Sequence, residues 1–158
     1  MSTQTIFQSF LLLHLIGLAM FAGITIADFI TFKQFWKQYD QDQTKSLVML
    51  PAMANLQVFM RIGILIIILA GIGLMAMTHG LFGEQLWFRI KFAFVILLIL
   101  NTIFVGNRQR VKLKKTFQEN NANNAGIIAR IKNNLSRFYY IQLIALFIIV
   151  LLSVFKFN

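Results

Sequence analysis

The chain has 158 residues, of which 58% are hydrophobic, with a mean hydropathy of +0.72, no cysteine and a formal net charge of +10. A soluble domain of this size carries an apolar share of ~45–50%, so the composition points to a membrane protein, and the missing cysteine excludes disulfides, thiolate metal sites and a cysteine nucleophile. The charge does not indicate nucleic acid, because the basic residues gather in loops without the interleaved aromatics that stack on bases.

Four apolar runs follow one another along the chain: Ile6 to Ile30, Val58 to Thr78, Leu86 to Val105 and Phe138 to Phe155. Each is near the ~20 residues that cross ~30 Å of hydrocarbon. No basic region precedes the first run, and it exceeds the roughly 7–15 residues of a signal-peptide core, so it is expected to stay as a helix. Backbone donors and acceptors in lipid need internal partners, which makes all four runs helices. The expected fold is all-α: an integral membrane four-helix bundle forming a single domain over residues 1–158.

Lys33, Lys37 and Lys45 follow the first span, while Arg108, Arg110, Lys112, Lys114, Lys115, Arg130, Lys132 and Arg137 lie between the third and fourth. The positive-inside rule then places loops 31–57 and 106–137 in the cytoplasm, with both termini and the Met77 to Gln85 connection outside. The second basic segment is also expected to touch anionic headgroups. Trp36, Tyr39, Trp87, Tyr139 and Tyr140 read as interfacial anchors, and Pro51 suits the start of the second helix. Glu119 to Gly126 reads as a turn. Ile127, Ile128, Ile131 and Leu135 then form an amphipathic lead-in near the membrane surface.

Ionisable groups within a span cost roughly 2.5–3.5 kcal/mol on insertion scales and require a partner, a cavity or a function. The candidates are His14, Asp28, Arg61, His79 and Lys91. His14, Gly17, Phe21, Ile24 and Asp28 recur at alternating steps of three and four and share a helix face; Arg61 and His79 share one on the second helix. The topology places His14, His79 and Lys91 in the outer half, with His14 on the order of 12 Å and Lys91 roughly 8 Å below that boundary. Asp28 and Arg61 fall toward the inner side, where they are expected to form a structural charge pair.

Each group has two readings. His14 is a hydrogen-bonded core histidine or a haem-iron ligand. His79 is an interfacial helix-end residue or a second ligand. Lys91 snorkels, binds a carboxylate or, deprotonated, a metal. Met20, Met60, Met75 and Met77 fill gaps or supply thioether. Gly17, Gly23, Gly63, Gly71 and Gly73 let helices approach or make room for a flat cofactor. Asn101 is suited to a hydrogen bond across helices.

His14, the Phe21-Ala22-Gly23 element, Pro51-Ala52-Met53 entering the second span, Gly71 within it, and Trp87 followed by Lys91 cover roughly the first two thirds of the chain. Together they resemble the HemJ-type membrane protoporphyrinogen oxidases and their relatives, the copper resistance protein D-like membrane proteins. That resemblance implies haem b within the bundle, His14 as axial ligand to its iron, Lys91 as a catalytic and cofactor-binding residue, and oxidation of protoporphyrinogen IX. It also implies a bacterial cytoplasmic (inner) membrane location. His79 completes the expected cofactor-binding set. The HemJ pattern has a proline-arginine pair after its FAG-like element, whereas Ala27-Asp28-Phe29 stands here.

Two functions compete. One is a haem b-binding oxidoreductase acting on a porphyrinogen or quinone-like molecule. The other is a non-catalytic accessory subunit or small permeation protein working with the lipid bilayer, a membrane partner or further copies of itself. Copper handling through His14, His79 and methionines is a third option.

Overall fold

The computed structural model describes residues 2–118 and 125–155, and among them the backbone is helical or in short turns, with no strand. Four helical stretches are long and apolar enough to cross a membrane: Thr3–Tyr39, Gln43–Met77, Leu86–Phe117 and Ala125–Val154. All four outrun the spans read from hydropathy, because helix continues into polar sequence beyond the apolar runs. The expected turn over Glu119 to Gly126 falls outside the described residues up to position 124. The chain divides into two compact units, residues 1–85 and 86–158, each built around one helical hairpin.

The first hairpin pairs α1 (Thr3–Tyr39) with α3 (Met49–Met77), linked by the short α2 (Gln43–Leu47). Ser2 caps α1 by accepting the Thr5 amide at 3.3 Å. Asp42 caps α2 by accepting the amides of Thr44 at 2.9 Å and Lys45 at 3.2 Å. These side chains satisfy amide groups that a helix start leaves without an intrahelical acceptor. Pro51 lies in the first turn of α3, where its missing N–H costs nothing.

The α1–α3 seam is set by small residues. A Cβ on Gly17 would come within 2.9 Å of the Ile66 side chain and 3.0 Å of the Ile67 backbone nitrogen. One on Gly63 would lie 3.2 Å from the Phe21 backbone nitrogen. A Cβ on Gly73 would collide with the Phe10 ring. These pairings run in opposite directions on the two helices, so the packing is antiparallel, and the seam is filled at Gly17, Gly63 and Gly73. Gly23 has nothing within 4 Å of such a Cβ and plays no part in the contact. Further along α1, Thr25, Asp28, Phe32, Phe35 and Trp36 are buried. Thr25, rather than the expected Ile24, continues the inward face.

The second hairpin pairs a long rod with α6 (Ala125–Val154). The rod consists of α4 (Leu86–Leu100), a π-helical stretch at Asn101–Asn107 and α5 (Arg108–Gln118). On α6 the buried residues Ile131, Leu135, Phe138, Gln142, Ala145, Ile149 and Leu152 alternate steps of four and three, the heptad spacing of knobs-into-holes packing. Residues 125–137, expected as an amphipathic lead-in to the fourth span, are continuous with it in one helix, and Ile131 and Leu135 are enclosed within the hairpin.

The aromatics read as interfacial anchors differ in how far the protein encloses them. Trp36, Trp87 and Tyr139 are buried, and among the five named aromatics Tyr140 stands most exposed. Trp36 meets Phe35 edge-on at 5.1 Å and Tyr39 at 5.4 Å. Such edge-to-face contacts add roughly 0.5–1.5 kcal/mol beyond area burial, so these rings consolidate the core.

Replacing Gly17 or Gly63 with leucine forces the helices apart and is expected to destabilise the first hairpin by at least about 1–3 kcal/mol. Gly23→Ala, which meets no atom, is expected to be neutral or stabilising by up to about 1 kcal/mol. Helicity measured by circular dichroism during denaturation from mild detergent checks both outcomes.

Candidate functional site

His14 is half-buried on the inward face of α1, and its Nδ1 lies 3.0 Å from the Ile67 carbonyl oxygen of α3. A carbonyl only accepts, so Nδ1 carries the hydrogen. In the neutral ring the lone pair is therefore on Nε2. Gly71 lies beside the ring, where a Cβ would stand 3.5 Å from Cε1 and 3.7 Å from Nδ1. As the residue four positions beyond Ile67, it flanks the accepting carbonyl, and a Cβ there would make only ordinary contact with the ring. The hydrogen-bonded reading of His14 is thus realised, with a backbone acceptor.

Asp28 is fully enclosed on the same face of α1, while Arg61 is exposed on α3. The Phe10/Gly73, Gly17/Ile66 and Phe21/Gly63 pairings continue to place Asp28 level with residue 55 or 56. Arg61 stands about 8 Å further along the axis. Met60 is buried, whereas Met20, Met75 and Met77 are half-buried, and Met60 serves as packing in the α1–α3 pair.

His79 ends α3. Its φ is +51°, followed by Gly80 at +74°. The Gly80 amide donates to Met75 O at 3.1 Å and the His79 amide to Ala76 O at 3.3 Å. These two bonds form a Schellman motif with His79 at the left-handed position usually held by glycine. The exposed imidazole lies about 12 Å along the axis from Gly71, so the two histidines do not converge. Among the described residues no group of three His, Cys, Asp or Glu side chains is placed to hold a metal ion.

Lys91 is half-buried in the second turn of α4. It belongs to the second unit and His14 to the first. The most developed polar arrangement of the second hairpin surrounds Asn101. Its Nδ2 donates to Phe138 O at 3.2 Å and to Gln142 Oε1 at 3.1 Å. Gln142 Nε2 donates to Thr102 Oγ1 at 3.2 Å, and Thr102 Oγ1 donates to Leu98 O at 2.8 Å. All three side chains are buried.

The π-helical stretch helps keep this chain on the seam. Leu98, Thr102, Gly106 and Arg110 recur in steps of four, and each step would rotate a regular α-helix by about 40° beyond a full turn. The wider π turn counteracts that drift. Gly106 then meets α6 closely, since a Cβ there would lie 2.9 Å from the Phe138 ring. One turn on, Arg110 Nη2 donates to the Tyr139 hydroxyl at 2.7 Å.

The cross-helix role expected for Asn101 is realised. Thr102 and Gln142 were missed, since sorting by ionisable groups passes over neutral amides and hydroxyls. The signal for Gln142 was its place among apolar residues within the fourth span. The chain matches no protein-family model, no curated protein and no solved structure.

Relieving the left-handed histidine by His79→Gly is expected to leave the fold intact and raise stability by about 0.5–1 kcal/mol in thermal unfolding. In the second hairpin, Asn101→Ala and Gln142→Ala are each expected to cost about 1–2 kcal/mol. Their double variant should cost clearly less than the sum, measured in a double-mutant cycle.

Proposed function

We propose that the chain is a haem b-binding membrane oxidoreductase in which His14 is the axial ligand. The observation that carries this reading is the Nδ1 contact with Ile67 O at 3.0 Å. A histidine ligand commonly donates its other ring nitrogen to a carbonyl or carboxylate, which fixes the tautomer and orients the ring. An iron porphyrin brings its own four nitrogen ligands, so one imidazole suffices where no three-residue ion site exists among the described residues. The filled contact around Gly17 and Gly63 means that a macrocycle would lie outside that part of the seam.

Bound haem supplies one-electron redox chemistry. The chain's part is to ligate through His14 Nε2, hold the ring through Ile67 and Gly71, and exclude water with the apolar helices. Lys91, whose ammonium suits a carboxylate, takes its proposed catalytic and cofactor-binding role from the resemblance to the HemJ group alone. Protoporphyrinogen IX, which would pass six electrons and six protons to three molecules of a two-electron, quinone-like acceptor on becoming protoporphyrin IX, is the substrate proposed from the resemblance to the HemJ group. The proposed location is the bacterial inner membrane, with the basic ends of both hairpins cytoplasmic and both termini outside.

One observation favours a second reading. His14, Asn101, Thr102 and Gln142 all take part in contacts that fasten helices, as in an accessory subunit or small permeation protein without a cofactor. In that reading Asp28 and Arg61 form a structural pair, and the protein acts with a membrane partner or as a homo-oligomer.

An absorption spectrum separates the two. Protein purified in mild detergent after growth with ample haem is expected to show a Soret band that His14→Ala largely abolishes and His79→Gly retains. A folded wild type that stays colourless after hemin reconstitution would remove the haem reading and leave the non-catalytic one.

A further inference from the structure

The rod of the second hairpin has one face against α6 and one without a neighbour in its own unit. Leu98, Thr102, Gly106, Leu113 and Thr116 are enclosed. Phe104, Arg108, Val111, Lys112 and Lys115 are exposed. A shallow, open depression lies on that exposed side, lined by Asn107, Arg108, Val111, Lys112 and Lys115. The Arg108 guanidinium rests over the Phe104 ring, 5.5 Å from its centroid.

Apolar residues continue this surface toward α4, where Leu97, Leu100, Ile103 and Phe104 are exposed. With the hydrocarbon boundary at Val105, Arg108 lies roughly 4 Å beyond it, Lys112 roughly 10 Å and Lys115 roughly 15 Å. The headgroup layer is itself about 5–8 Å deep. Side chains on a helix lean toward its N-terminus, and the N-terminus of α5 is its membrane end. Its cations therefore lean back toward the headgroups. On α6 the direction is opposite, because residues 125–137 run toward the membrane, so Arg130, Lys132 and Arg137 lean away from it.

We propose that the exposed face of α5 is a binding site for an anionic phospholipid, with the lipid phosphate held by Arg108 and Lys112, Lys115 adding positive charge further out, and an acyl chain lying along Phe104 and Leu100. Val111 and the Phe104 ring provide apolar surface among the cations, which suits a ligand that is charged at one end and hydrocarbon at the other. This site is independent of haem binding and concerns a different unit from His14.

The test uses the full chain in phosphatidylcholine bilayers containing traces of spin-labelled phosphatidylglycerol or spin-labelled phosphatidylcholine. Electron paramagnetic resonance then reports the relative association of each lipid with the protein. Wild type is expected to prefer phosphatidylglycerol, and R108Q/K112Q/K115Q to lose about fivefold or more of that preference. R130Q/K132Q/R137Q removes the same number of charges from α6 and is expected to retain most of it. Equal losses in the two triple variants would overturn the proposal, as would an unchanged preference in the α5 variant. Loss of preference on adding inorganic phosphate at constant ionic strength would also overturn it, since that outcome marks a free-phosphate site. A photoactivatable phosphatidylglycerol provides a measurement on wild type alone: cross-links mapped to residues 100–115 support the site, and cross-links confined elsewhere refute it.

Discussion

A carbonyl oxygen in an α-helix has two lone pairs, and the helix uses only one of them. In hydrocarbon the other has no water to meet, and a polar side chain has no water either. Much of the internal polar chemistry of this protein answers both needs at once. Thr25 donates to Phe21 O at 2.7 Å, Thr31 to Ala27 O at 2.8 Å and Ser153 to Ile149 O at 2.7 Å. These bonds stay within one helix and let hydroxyls lie in apolar spans. When the donor reaches a carbonyl of the neighbouring helix, the same chemistry becomes a fastening. His14 to Ile67 O does this in the first hairpin and Asn101 to Phe138 O in the second.

Both fastenings depend on local geometry that opens a helix flank. In the first hairpin Gly17 and Gly63 bring the backbones close enough for an imidazole to span the gap. In the second, the π-helical turn keeps Asn101 and Thr102 directed at α6 while Gly106 accommodates the Phe138 ring. Close approach in lipid gains little from hydrophobicity, since acyl chains are as apolar as leucine. Packing and hydrogen bonding must therefore supply the specificity. The seam residues are accordingly a mixture of glycine, hydroxyl, amide and aromatic side chains rather than leucine alone.

The spans were legible because an apolar run of membrane length has few alternative uses, and the helical backbone follows from the need to satisfy its polar groups. Their ends were less legible, since α1 and α6 carry a heptad-like seam past the apolar run into basic sequence. Hydropathy does not register that continuation, although Ile131 and Leu135 mark it. Trp36 and Trp87 were read as anchors on residue type, and that reading did not reveal that both are buried within the protein. His14 and Asp28 were correctly placed on one face by their spacing. The acceptor for His14 could not be read, because a backbone carbonyl has no residue type to reveal it, and the π turn likewise leaves no pattern distinct from ordinary helix.

The His14 contact bears both on the fastening of the two helices and on the proposed ligation. A donor at Nδ1 is what a helix-to-helix hydrogen bond requires, and it is also what leaves the neutral imidazole with its lone pair at Nε2. The helix-to-helix hydrogen bond and the proposed ligation would use different nitrogens of one ring and are therefore compatible geometries. His79 lacks this dual character. Its backbone completes the end of α3, its side chain is exposed, and the two amide bonds that define its position would form equally well around a glycine. Of the two histidines, only His14 has its ring orientation set by a neighbouring helix, and a ring held in that way has already lost much of the orientational freedom that binding a ligand would otherwise cost.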